Sequence, residues 1–179
     1  MYIKAMILND KNKNETSKKV SLVKPMKQRK MSESRKDEYL EIDYQKTIDI
    51  LKNYYVPREE YVEKNYHILL ISTINKKLNS YKQQDLNKNK YNADEFINVE
   101  NVIDKLLTTN LICYYCSNKT QIFYTYSREP TQWTLERIDN TIGHTNANTE
   151  ISCLECNLKR RDRSSKDFKF AKQLVIKKV

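Results

Sequence analysis

CYYC at Cys113–Cys116 and CLECNLKRRD at Cys153–Asp162 decide how this chain is read. Each carries a C-x2-C pair, 36 residues separate the pairs, and no cysteine is left over. Two residues between thiolates let a tight turn aim both sulfurs at one tetrahedral ion, and zinc accepts four such ligands in a closed structural site. The spacing therefore predicts one structural Zn2+ on Cys113, Cys116, Cys153 and Cys156.

Between the pairs, Gln121–Tyr126 and Trp133–Asp139 are rich in aromatic and β-branched residues, and Thr149–Ser152 is a third short extended run. Gly143, the only glycine, falls in the loop NTIGHTNAN. After Cys153 the chain should turn helical, with Lys159, Arg160 and Arg161 in the turn beyond the cysteines. The order is strand, loop, strand, helix, with the metal fastening the helix start to the upstream knuckle. Trp133 and the tyrosines at 114, 115, 124 and 126 are read as a small core around the knuckle in preference to base-stacking surfaces.

The segment WTLERIDNTIGHTNANTEISCLECNLKRRD, residues 133–162, resembles the ββα metal finger of HNH endonucleases, and CYYC resembles the knuckle of their zinc-binding, treble-clef-like variant. The likeness spans about Leu111 to Asp162 and is anchored by CLECN, by Asn148 five residues before Cys153, and by the acidic RID element. In that family an acid–histidine pair ends the first strand: the acid binds a divalent metal and the histidine activates water. Asn148 matches the family's supporting asparagine. Glu136-Arg137 matches the acid–histidine pair, and a register slip puts Asp139-Asn140 there instead.

Neither register supplies a histidine, and Arg137 stays protonated and accepts no proton. His144 in the loop is the candidate base, or else a loop hydrogen-bonding or phosphate-contacting residue. The resemblance implies phosphodiester hydrolysis with Mg2+ or Mn2+ on oxygen donors from Asp139, Glu136 and Asn148. Arg137, Lys159, Arg160, Arg161 and Arg163 would hold the strand, DNA in preference to RNA. The alternative is a noncatalytic zinc-finger module that grips phosphates through the same basic helix. Glu136 and Asp139 also have a structural reading, as partners of Arg137 or caps of the loop.

Charge along the chain agrees with a polyanionic partner. Residues 1–36 hold eleven Lys/Arg against three acids, residues 157–179 hold nine against two, and the rest hold thirteen against eighteen, within a total of +10. An AT-rich coding sequence would also inflate Lys, Asn and Tyr. The KPMKQRK run at 24–30 reads as a nucleic-acid or nuclear-import patch.

Upstream, Leu40, Tyr44, Ile48, Leu51 and Tyr55 recur at helical spacing before Pro57. A second stripe contains Tyr61, His67, Leu70, Ile74 and Leu78, and a third helix covers Val99–Leu107. His67 is read as a packed core residue, and the polar stretch 79–92 as a linker. The expected class is α+β: a disordered basic arm over 1–37, a helical region over 38–110, the zinc-stapled finger over 111–165 and a basic C-terminal helix over 166–179. One glycine and three prolines disfavour an all-β fold. The start Met1–Leu8 is too short and too interrupted for a signal peptide or membrane span, so the expectation is a soluble intracellular protein, cytoplasmic or nuclear, without a membrane partner. Four thiols in a reducing compartment favour metal over disulfides. The sequence fixes no oligomeric state or target sequence.

Overall fold

The computed structural model describes residues 26–56 and 64–174. Four helices come first: α1 (Glu33–Glu41), α2 (Tyr44–Lys52), α3 (Lys64–Asn87) and α4 (Val99–Thr108). An antiparallel hairpin follows, β1 (Trp133–Arg137) with β2 (Thr149–Cys153), and then α5 (Leu154–Arg160) and α6 (Ser165–Gln173). The register pairs Trp133 with Cys153 and Arg137 with Thr149. Helices plus a small two-stranded sheet make the fold α+β. Among the described helices none is long and apolar enough to cross a membrane.

Local chemistry sets the helix ends. Asp43 caps α2 by accepting from the Lys46 amide at 2.7 Å, and Asn98 caps α4 by accepting from Asn101 at 2.8 Å. The apolar faces behind these caps, Ile48, Ile50 and Leu51 on α2 and Val102, Ile103 and Leu106 on α4, are buried. They join Leu70, Ile74, Leu78, Trp133, Leu135 and Ile151 in one continuous core. The finger segment therefore shares its core with the helices. A smaller cluster of Tyr115, Phe168 and three of the cysteines sits beyond it.

α3 also completes the hairpin. A two-stranded sheet leaves the outer edge of β1 with unpaired backbone groups. Tyr81 accepts the Leu135 amide at 3.1 Å, and Lys77, one turn earlier, donates to the Trp133 carbonyl. Side chains four apart on one helix thus replace a third strand.

Several expectations change. Residues 26–37 are not a free arm: Gln28 bridges Tyr126, the Arg29 amide donates to Thr125 at 2.8 Å, and α1 begins at Glu33. The first predicted helix is two, broken at Ile42–Asp43, so Tyr39 is buried whereas Leu40 is 73% exposed. Residues 79–87 of the expected linker continue α3. Gln121–Tyr126 forms no strand among the described residues, only isolated bridges from Gln121 to Gln132 and from Tyr126 to Gln28. His67 stacks on Tyr54 with ring centroids 5.2 Å apart. The start Met1–Leu8, Lys24, Pro25, Tyr61 and the chain beyond Leu174 lie outside the described residues.

Candidate metal centre and basic cleft

The CYYC knuckle turns back on itself because Ser117 takes a positive φ of 58° and donates its amide to the Cys113 carbonyl at 3.0 Å. β2 delivers Cys153 to the same point, and Cys153 caps α5, its sulfur accepting from the Cys156 amide at 3.4 Å. All four sulfurs lie within 4.8 Å of one another, and three of the cysteines are buried. Cys116 and Cys153 sulfurs are 3.9 Å apart. That is no disulfide, and it matches the edge of about 3.8 Å of a tetrahedron of sulfurs 2.3 Å from a central ion. The Cys153 amide also donates to the Cys113 sulfur at 3.3 Å. The set is positioned to bind a metal ion.

The thiols show why a cation belongs there. A hydrogen bond from Cys153 brings the Cys113 thiol down to about 5, whereas the Cys153 thiol is pushed up by that same bond and Cys156 by burial. One thiolate forms at the others' expense, and a shared cation removes that conflict.

A cleft of roughly 760 Å3 opens between α3 and the hairpin with α5. Its lining includes seven basic side chains, Arg29, Lys76, Lys77, Lys88, Lys90, Arg137 and Arg161, and one acid, Glu136. Glu136 is not free: it is buried and accepts from Arg160 at 2.5 Å. Burial raises its carboxyl above the ordinary range, against the pull of that guanidinium.

His144 lies on the cleft wall and is 4% exposed. Both oxygens of Asp85, itself 0% exposed, grip it: Oδ2 accepts the His144 amide at 2.6 Å and Oδ1 meets Nδ1 at 2.8 Å. A buried carboxylate accepts only, so Nδ1 carries the proton and Nε2 keeps its lone pair. Nε2 has no partner among the described residues, yet Trp133 Nε1 is the only side-chain polar atom among them that is buried and unpartnered. Nε2 is therefore not sealed from solvent, and His144 lines the cleft. Tyr81 stacks on the ring at 4.6 Å, and the His144 carbonyl accepts from Ile97 at 2.9 Å. Burial holds the imidazole below its ordinary value despite Asp85, with Arg137 and Lys88 pushing the same way. Gly143 permits this approach, because a Cβ there would collide with the Lys90 carbonyl and reach 2.9 Å from Asp85 Oδ2.

The other sequence-derived candidates spread out. Arg137 lines the cleft, donates to the Ile142 carbonyl at 3.2 Å and lies 3.8 Å from Asp85. Asn148 ties the loop: its Oδ1 accepts from the Asp139 amide at 2.8 Å, and its Nδ2 donates to the Asp139 and Gly143 carbonyls at 2.9 and 3.1 Å. Asp139 is exposed, does not line the cleft, and caps Thr141 at 2.7 Å, which holds its carboxyl below the ordinary range. Of the basic quartet only Arg161 lines the cleft. Arg160 is 2% exposed, Lys159 pairs with Glu155, and Arg163 folds back over Phe168 at 4.6 Å. Asp85 was missed, although it continues the core phase of Leu70, Ile74, Leu78 and Tyr81 and is the only acid between Glu63 and Asp94.

These positions do not fit an assembled Mg2+ or Mn2+ site. Glu136, Asp139 and Asn148 each have other hydrogen-bond partners, and among the described residues the four cysteines are the only group of three or more His, Cys, Asp or Glu side chains close enough to share an ion. No protein-family model, curated protein or solved structure matches the chain.

Proposed function

We propose that this chain is a zinc-stapled nuclease of the HNH type that hydrolyses phosphodiester bonds in DNA, with RNA the less favoured substrate. The observation that carries the reading is the Asp85–His144 pair at the wall of a cleft lined by seven basic side chains. All-sulfur ligation, a tetrahedral edge and a position between knuckle and helix favour zinc over harder cations.

In this reading His144 Nε2 takes a proton from water as its oxygen attacks phosphorus. The P–O bond to one sugar breaks, and the leaving oxygen gains a proton from solvent. Asp85 keeps the ring in the accepting tautomer and offsets the charge that the imidazolium acquires. Arg137, Lys88 and Arg161 face the phosphate charge. A positioned base of this kind contributes roughly a hundred- to ten-thousandfold in rate.

The test is incubation of purified protein with supercoiled plasmid in Mg2+ or Mn2+, with and without EDTA. Nicked or linear product from wild type supports the reading, and no product with or without a divalent ion overturns it. The second reading, a zinc-finger module that binds nucleic acid without cutting it, is favoured by Glu136, the only acid lining the cleft, whose engagement with Arg160 leaves no free carboxylate there. It expects binding with intact plasmid.

A further inference from the structure

Lys76, Ser80 and Gln84 stand four residues apart on α3 and form one stripe along the helix, and Lys88, in the turn just past its last residue Asn87, continues the spacing. All four line the cleft, and all four are exposed. Lys76 and Lys88 make no ion pair among the described residues. No acid interrupts the stripe, because Asp85, the only acid of this part of the helix, points inward to His144. The facing wall is just as suited to phosphate, with Arg137, Asn140, Asn157 and Arg161, while Arg29 and Tyr124 close one end.

We propose that α3 is a wall of the nucleic-acid site, its stripe following the phosphates of one strand toward His144. This rests on the nucleic-acid reading above but not on catalysis. It gives a role to a helix outside the finger-like segment, whose sequence carries no nucleic-acid motif. From Lys76 to its end at Asn87, α3 spans about 17 Å at 1.5 Å per residue. At about 3.4 Å of duplex axis per phosphate of one strand, that length faces at most roughly five phosphates. Lys88 lies at the His144 end and Lys76 at the Arg29 end, so the contacts extend to one side of the phosphate nearest His144. Ser80 and Gln84 supply neutral donors between the two charges. Lys77 is not part of the row, because its ammonium is turned to Gln132 Oε1 and the Trp133 carbonyl.

The test measures affinity of the full chain, zinc-loaded and without Mg2+ or Mn2+, for fluorescein-labelled duplex DNA, single-stranded DNA and single-stranded RNA. The variants are Lys76→Ser/Lys88→Ser and a charge-matched control, Lys52→Ser/Lys82→Ser, at exposed positions that do not line the cleft. Circular dichroism and zinc content check that each is folded. On the duplex, two lost phosphate contacts should reduce the slope of log K against log salt by about 1.8. On any probe that binds, affinity at about 0.1 M salt should fall tenfold or more, with the control near wild type. If wild type binds and the α3 variant matches it, or the control weakens equally, α3 is not a wall and the nucleic-acid reading stands. If wild type binds none of the three probes, both fall.

Discussion

Replacing Arg160 by alanine is expected to loosen the whole hairpin–helix unit, and not simply to remove a surface cation. Its Nε donates to Glu136 at 2.5 Å, and its remaining nitrogens donate to the Arg163 and Arg137 carbonyls and to Asn140 Oδ1 at 2.6, 2.5 and 2.9 Å. One side chain thus joins β1, the loop and the turn after α5. Alanine would leave the Glu136 carboxyl buried without its partner, and three oxygens without a donor. Breaking a buried pair from one side costs about 3–5 kcal/mol. At about 2–4 °C per kcal/mol for a chain of this size, the midpoint should drop by about 6–20 °C. The assay is thermal unfolding by circular dichroism, with excess zinc to hold metal linkage fixed. Glu136→Leu combined with Arg160→Met should recover part of the loss, since apolar replacement of both partners removes the stranded charge. An Arg160→Ala protein that melts with wild type and only binds nucleic acid more weakly would refute the buried-tie assignment.

Lys77 supplies a pH-dependent prediction. Burial, helped by repulsion from Arg29, lowers its ammonium to about 7. The unfolded chain keeps that proton up to the ordinary 10.5, so between these values it binds more protons than the folded one and stability rises with pH. Lys77→Met should therefore stabilise the protein by a few kcal/mol at pH 6, the gain shrinking by about 1.4 kcal/mol per pH unit above 7; urea unfolding at pH 6 and 9 reads this, and a pH-independent difference contradicts it. Metal removal should unfold the knuckle, β2, α5 and α6 while much of α2–α4 persists, because Tyr115 and Phe168 are a small cluster beside the cysteines and the helices keep their own core. Elemental analysis should find about one zinc per chain and hydrogen exchange should show the selective loss; well under one zinc, or unchanged protection after chelation, overturns it.

Local signals were legible where neighbours in sequence do the work. The C-x2-C pairs announce a metal cluster because each turn is self-contained, and α4 was bounded by its own apolar stripe. Asn148 was expected to support a catalytic metal, and in the structure its side chain ties the loop across Asp139 and Gly143. What could not be read locally came from pairing across the fold. Asp85 meets His144 from 59 residues away. Arg160 stood in a run of basic residues that looks uniformly exposed, yet Cys153, Cys156 and Arg160 recur at helical spacing, and that shared face takes Arg160 inward. The end of α3 was hidden because Asn, Lys and Gln carry no apolar phase beyond Leu78. Only Tyr81 and Asp85 mark it.

The most direct measurement is the rate at which wild type and His144→Ala cut labelled DNA in Mg2+ or Mn2+, followed from pH 5 to 8. The wild-type rate should climb with pH and level off by neutrality, since burial keeps the imidazole pKa below its ordinary value and the base is neutral above it. His144→Ala should lose roughly a hundredfold or more, with zinc content and DNA affinity close to wild type. Equal rates for the two proteins, or no cutting by wild type at any pH, would contradict the account.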